Sequence, residues 1–529
     1  MYSPTLIADF YKHSHPKQYP IGTEYVCSNT TPRGSRMAGV DHIVVFGTQY
    51  LIKEYIIENW NKNFFSRPKV EVIGELRRLL DFTLGKGAVD VSLFEELHDL
   101  GYLPLHIKAL PEGTLCPMRV PMMTIINTHK KFYWLTNFIE TLTQTVLWQA
   151  ITSATIAREY KKILTRYAEK TSDYPEFVRF QAHDFSMRGM SSVETGAVSG
   201  AGHLTSFDGT DTITAILFHE KYYGANIEKE LVGTSVPATE HAVMCAGGDD
   251  DEKETFRRMI EDVYPEGIVS IVSDTWDFWN VLTVILPSLK DKVMARNGKV
   301  VIRPDSGDPV KIITGYFVKN VPYTAEDYLA RITRQSFHMK TWEDPEFDAV
   351  KTSDGRYFDS DGDELTHEEV LGAIHILHEV FGGKVNKKGY IELDPHIGLI
   401  YGDSITLVRC EQICERLARK HFASINVVFG VGSYTYQYNT RDTFSLACKA
   451  TWVQINGVGK PIFKDPKTDN GSKKSAKGLL RVIRRNGDLV LEDNVTRELE
   501  DTGELITVFY NGILHNEVTL SEVRKRLND

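Results

Sequence analysis

Short runs of Val and Ile that stop at an acidic or glycine turn recur through the middle of the chain. IVSIVSD ends at Asp274, VVIRPDSGD carries Asp305, HIGLIYGD ends at Asp403, and INVVFGVGS runs into Gly430 and Gly432. Continuous apolar runs of this length are typical of strands covered on both faces, so the pattern predicts a parallel sheet. Between them, FWNVLTVILPSLKDKVM and ITLVRCEQICERLARKHF carry apolar residues at helical spacing. The steps from Asp274 to Asp305 and from Asp403 to Gly430 are each about 30 residues, the length of one strand-helix repeat. FVRFQAHDF and HLTSFDGTDT, the latter followed by ITAILFHEKYYG, extend the series upstream. The predicted fold class is therefore α/β, an irregular parallel barrel-like domain over residues 151–434.

One interval breaks the rhythm. Asp305 and Asp403 are separated by about 100 residues, roughly three repeats, and an acidic stretch in between predicts an insertion over about 320–395. Asp359, Asp361 and Asp363 resemble the start of a calcium loop, but Glu364 stands where that loop needs Gly and Val370 where it needs Glu. A solvated hairpin is the expectation there. Residues 1–150 mix helical stretches with Gly/Pro turns, and the end of the chain (LLRVIRRNGDLVLED, ITVFYNG) is β-rich. Residues 1–150 and 435–529 are expected to form a flanking mixed α+β domain, as one discontinuous unit.

Composition narrows the class. The chain has 529 residues, 42% hydrophobic and 25% charged, the balance of a folded soluble protein. Its formal charge of -10, with no basic stripe, argues against nucleic acid as the main partner. The six cysteines (27, 116, 245, 410, 414, 448) include no CxxC pair and suit a reducing compartment. No signal peptide and no membrane-spanning apolar run is visible, so a cytoplasmic location is expected.

The strand-end loops hold the candidate chemistry: Asp184 and Arg188, Asp211, Glu240 and His241, Asp274, Arg303 and Asp305, Asp403, the FGVGSY loop and Arg441. In a parallel α/β barrel these loops converge on one working face. Glycine loops let backbone N–H groups approach a phosphate, and arginines add a bidentate fork. Carboxylates there can hold Mg²⁺ on a diphosphate, orient a base or stabilise a developing cation; a lone Asp after a strand can equally be a helix cap. His241 lacks a His or Cys partner at zinc spacing. Its type and setting fit a nucleophile or proton carrier oriented by Asp274 or Asp305, and equally a hydrogen-bonded core histidine.

HDFSMRGMSSVET, GTDT, SVPATEH, SDTWD, IRPDSGDP, GDS, FGVGSYTYQYNTRD and IFKDP, in this order, resemble the nicotinamide phosphoribosyltransferases among the type II phosphoribosyltransferases, and the likeness covers nearly the whole chain. The resemblance implies transfer of phosphoribosyl from phosphoribosyl pyrophosphate to nicotinamide, with Mg²⁺, and with ATP as co-substrate through phosphorylation of His241. It implies a homodimer with active sites at the interface. Phe185 would stack on the pyridine ring with Tyr11 of the other subunit; Asp211 and Arg303 would hold the carboxamide, and Ser235, Val236 and Ala238 would line the pocket. Arg188, Asp305, Gly402, Asp403, Gly432 and Arg441 would bind ribose phosphate and diphosphate, and Arg33, Lys449 and Lys473 would reach phosphates from the partner. A carboxylate at 211 accepts from an amide NH₂ and repels the carboxylate of nicotinate. Two departures stand out: animal members carry a longer glycine run than Gly430-Val431-Gly432-Ser433, and the long interval lengthens this chain. The competing expectations are a nicotinate phosphoribosyltransferase and a non-catalytic binding protein on the same fold.

Overall fold

The computed structural model describes residues 2–335, 346–402, 404–468 and 474–528. Six parallel strands form the central sheet: β1 (Ala182–Asp184), β2 (Gly209–Thr210), β3 (Glu266–Val272), β4 (Asn297–Arg303), β5 (Ile397–Tyr401) and β6 (Val427–Val431), in the order β2-β1-β6-β5-β4-β3. All five residues of β5 are buried, as its unbroken apolar run requires. The two free edges are joined through the segment GTSVPATEH. Thr234 bridges to Gly209 and Ala238 to Ser270, both parallel, so this stretch links the β2 edge to the β3 edge and curls the sheet into a barrel. Its small residues and Pro237 support only isolated bridges, and no regular strand forms.

Helices cover the outside. α1 (Glu140–Thr171) is 32 residues long, and its buried positions serve two cores in succession. Residues from Leu142 to Ala154 pack with the flanking sheet, and those from Ile156 to Ala168 pack against the barrel. α2 (Val193–His203) follows β1 and is started by a capping box in which Ser192 and Thr195 satisfy each other's backbone N–H groups. α3 (Ile213–Tyr223) follows β2, and α4 (His241–Gly247) begins where GTSVPATE ends.

The flanking sheet takes strands from both ends of the chain. Thr23–Pro32 lies between Leu446–Ile455 and Met123–Asn127, all antiparallel, and Ile506–Tyr510 pairs with Leu105–Ala109. Within the interval 320–395, Tyr357–Asp359 and Glu364–Leu365 form an antiparallel hairpin, and Asp359 Oδ1 accepts the N–H groups of Asp361 and Asp363 at 2.9 Å each. The hairpin expectation is met. Within the same interval, Ala373–Phe381 returns to the barrel and buries Ile374, Leu377 and Phe381 in its core. The hairpin lobe is fastened to the barrel by Asp348, which accepts from Arg416 Nη1 at 2.6 Å and pairs with Lys311, while the Phe317 ring lies 3.9 Å from the Arg419 guanidinium carbon.

Candidate active site

The C-terminal ends of β3 and β4 are stapled by one carboxylate. Asp274 Oδ2 accepts the N–H of Asp305 at 2.8 Å, the N–H of Ser306 at 2.7 Å and the Ser306 hydroxyl at 2.6 Å. Its other oxygen, Oδ1, is buried without a hydrogen-bond partner among the described residues and lies 3.8 Å from His241 Nε2. The same imidazole nitrogen is 4.0 Å from Asp305 Oδ2, and Nδ1 is 3.2 Å from the Thr275 hydroxyl. His241 is half exposed, so the ring is oriented from one side and open on the other. Glu240 occupies the N-cap position of α4, is exposed, and makes no capping hydrogen bond.

Across the mouth, β1 presents His183 and Phe185 on one side, as its period of two demands. Asp184 points the other way: it is fully buried and accepts from Ser186 N at 3.0 Å and from Thr210 Oγ1 at 3.2 Å. The expectation that Asp184 faces the site is therefore corrected, the pleat having turned it toward the helical layer. His183 Nε2 lies 2.9 Å from Asp211 Oδ1, which also accepts from the Ser235 hydroxyl. Burial raises the Asp211 pKa, but the bonds from His183 and Ser235 and the charge of Arg303 outweigh it and hold the carboxyl below its ordinary value. Arg303, at the end of β4, donates to Thr239 O at 2.7 Å, and the Phe185 ring centroid is 4.7 Å from that of His183.

The glycines of the face are set by close approach. A Cβ on Gly402 would lie 1.8 Å from Asp305 Oδ1, and one on Gly430 would lie 2.7 Å from Gly402 O. Gly432 is the N-cap of the short helix Ser433–Gln437. Arg188 is exposed on the turn Met187–Gly189, and Arg441 reaches Gln144 Oε1 at 2.9 Å and Asp442 Oδ1 at 3.1 Å. Asp403 and Lys473 lie outside the described residues.

Three expected residues stand apart from this cluster within the chain. Tyr11, 57% exposed on the 3₁₀ helix Phe10–Lys17, contacts His15 and Lys12 rather than Phe185. Arg33 and Lys449 line a cavity of about 230 Å³ in the flanking unit together with Arg119 and Lys474, and no carboxylate is among its described lining residues. Lys449 and Lys474 each have a carboxylate nearby, Glu140 at 3.9 Å and Asp465 at 3.4 Å, so the excess positive charge of the cavity comes mainly from Arg33 and Arg119. Among the described residues no group of three or more His, Cys, Asp and Glu could hold a metal ion, and no helix is long and apolar enough to cross a membrane.

Sequence reasoning gave no roles to His183, Thr275 or Arg119. For His183 a signal existed: it alternates with Phe185 on a strand and must share its side. For Arg119 none did, because its place beside Arg33 depends on a turn held by its N–H on Pro32 O at 2.6 Å.

Residues 180–527 match the nicotinate phosphoribosyltransferase family, and residues 4–67 match the N-terminal domain of nicotinamide phosphoribosyltransferase. The chain is 50% identical to a nicotinamide phosphoribosyltransferase of Acinetobacter baylyi over 99% of its own length and 97% of the relative's. It is 31% identical to one of Xanthomonas campestris pv. campestris, over 98% and 97%. Among solved structures, a nicotinate-nucleotide pyrophosphorylase of Pyrococcus furiosus superposes with a TM-score of 0.54 at 14% identity, covering 99% of this chain and 95% of that one, which is a likeness of fold. A curled parallel barrel with acidic and glycine strand ends, and sequence identity running nearly end to end with such relatives, place this chain among the nicotinamide phosphoribosyltransferases of the nicotinate phosphoribosyltransferase family: it is a phosphoribosyltransferase.

Proposed function

We propose that the protein transfers the phosphoribosyl group of phosphoribosyl pyrophosphate to nicotinamide, giving nicotinamide mononucleotide and pyrophosphate in NAD salvage. The observation that carries this reading is Asp211, an ionised carboxylate whose Oδ1 is occupied by His183 and Ser235, with the Phe185 ring next to His183. Its free oxygen can accept from the amide NH₂ of nicotinamide and opposes the carboxylate of nicotinate.

In the reaction, the bond between the anomeric carbon and the diphosphate oxygen breaks and its electron pair leaves with pyrophosphate. The pyridine nitrogen supplies the new pair to that carbon and becomes cationic. Phe185, with Tyr11 of a second subunit, aligns the ring; the exposure of Tyr11 in one chain supports that arrangement. Asp274 and Asp305 face the developing positive charge of the sugar, where preorganised carboxylates lower the barrier. Arg188, Gly402, Asp403, Gly432 and Arg441 hold the phosphates, and Arg33, Lys449 and Lys473 add contacts from the partner's flanking unit.

Mg²⁺ bound with the diphosphate would supply charge neutralisation for the leaving group. Asp274, whose Oδ1 makes no hydrogen bond among the described residues, would hold such an ion as a hard oxygen donor. His241 is the residue to be phosphorylated: in the tautomer whose Nδ1–H donates to the Thr275 hydroxyl, Nε2 keeps the lone pair that attacks the γ-phosphorus of ATP, with ADP leaving. Residues 151–434 would be the catalytic domain, and 1–150 with 435–529 the unit that completes the neighbouring site in a cytoplasmic homodimer.

The test is mononucleotide formation from nicotinamide and from nicotinate, each with and without ATP and Mg²⁺. Faster turnover of nicotinate would overturn the substrate assignment in favour of nicotinate phosphoribosyltransferase activity, and absence of any transfer by the purified oligomer would favour a binding protein. For ATP coupling, His241→Ala is expected to abolish ATP consumption while slow transfer persists at high substrate; ATP turnover surviving in that variant would remove the phosphohistidine.

A further inference from the structure

The Asp211 carboxylate receives both of its hydrogen bonds on one oxygen. His183 Nε2 and the Ser235 hydroxyl meet Oδ1, and Oδ2 receives none from the described residues. A free carboxylate turns about its Cβ–Cγ bond and presents either oxygen; two donors converging on Oδ1 stop that rotation and aim Oδ2 in one direction. The two donors differ in firmness. Ser235 is exposed on the irregular segment that closes the barrel. His183 is buried on β1, and its ring is boxed: a Cβ on Gly209 would lie 2.8 Å from Nδ1, and the Phe185 ring stands 4.7 Å away centroid to centroid. Any Cβ at 209 would run into the imidazole, so the position of Nε2 is fixed by packing and does not depend on Asp211 alone.

We propose that His183 is the positioning residue for pyridine recognition: it locks the Asp211 carboxylate so that one oxygen is permanently held and the other is presented to an amide NH₂. This inference rests on the proposed role of Asp211 and assigns to a second residue the orientation that the role needs. His183 itself does not touch the ligand in this arrangement. It acts through Asp211, and through the wall it forms with Phe185.

The consequence is read in steady-state kinetics with the full-length enzyme, varying nicotinamide and phosphoribosyl pyrophosphate separately. A hydrogen bond to a charged group is a strong one, and losing it in His183→Leu is expected to raise the nicotinamide KM about tenfold or more. The KM for phosphoribosyl pyrophosphate is expected to stay within about twofold, because no phosphate contact is altered. His183→Gln, whose amide nitrogen reaches the place of Nε2, is expected to bring the nicotinamide KM back to within about threefold of the wild type. Should His183→Leu not accumulate as folded protein, His183→Asn replaces it, since it keeps polarity but places its amide at the Nδ1 position; the same rise is expected.

An unchanged nicotinamide KM in both His183→Leu and His183→Asn, or a rise in the KM of both substrates together, would overturn the inference. So would failure of His183→Gln to restore affinity in a protein with wild-type thermal stability. Asp211→Ala, measured alongside, separates the two claims. If it leaves nicotinamide KM unchanged, the role of Asp211 is wrong; if it raises KM while the His183 variants do not, Asp211 stands and the positioning role of His183 falls.

Discussion

Gly402 is kept free of a side chain by one neighbour, the Asp305 carboxylate, whose Oδ1 would lie 1.8 Å from any Cβ placed there. Gly402→Ala is therefore expected to push Asp305 out of line with His241 and to lower kcat/KM on the order of 100-fold, the usual effect of misplacing a reacting group by about 1 Å. Thermal denaturation should move little in comparison, which separates this outcome from unfolding. Glu252 makes a different case. Its side chain is buried with Oε1 unpartnered among the described residues, and burial together with the nearby charge of Asp277 raises its pKa to about 7. A carboxyl raised in the folded state is favourable while protonated, so stability is full below the unfolded value near 4.5 and is lost as pH rises to about 7. Glu252→Gln is expected to remove that loss, stabilising the protein by about 1–2 kcal/mol at pH 8, with solvent screening taken into account, and hardly at all at pH 4. Chemical denaturation at the two pH values checks it; equal gains at both would show that the carboxyl is not the cause. At this scale the sequence was most informative for strand-end residues, since Asp274 and Asp305 are visible at the ends of apolar runs. The pairing of His183 with Asp211 was not, because a contact between residues far apart in sequence has no local signature.

Elements with strong periodicity were legible, and those made by tertiary pairing were not. β3, β4, β5 and β6 follow the Val/Ile runs, whereas β2 is two residues long and GTSVPATEH forms only isolated bridges. That stretch has no strand pattern, yet it carries Ser235 to Asp211 and starts α4 at His241. In the flanking unit, Lys108 on the strand Leu105–Ala109 meets Glu500 on the helix Arg497–Glu500, both buried. Removing one member leaves a charge uncompensated, so Lys108→Met should cost about 3–5 kcal/mol, while Lys108→Met combined with Glu500→Leu should recover most of it. Denaturant midpoints of the two variants decide; a double variant no more stable than the single one would mean that the pair itself holds this junction.

The molecule as a whole is organised by α1, which contributes to both cores within one continuous helix. Lateral pairing of Thr23–Pro32 with Leu446–Ile455 then brings Arg33 and Lys449 to one cavity, about 400 residues apart along the chain. If Tyr11 and these cations serve the partner's barrel, mixing Tyr11→Ala and Asp211→Ala proteins, each impaired on its own at low nicotinamide, under conditions of subunit exchange should raise activity. Random pairing leaves one intact site in half of the dimers, about a quarter of the wild-type rate. No recovery, with exchange verified by mass, would place the whole site within one chain. The sequence by itself determined the parallel α/β class, the strand ends that carry Asp274 and Asp305, and the hairpin at Asp359, because each is written in residues adjacent along the chain. Only the tertiary structure decided how the barrel closes through Thr234 and Ala238, which way Asp184 turns, and that His183 and Ser235 share one oxygen of Asp211. Those are distances between segments, fixed by packing and by hydrogen bonds that must be satisfied on burial, and periodicity along one segment carries no record of them.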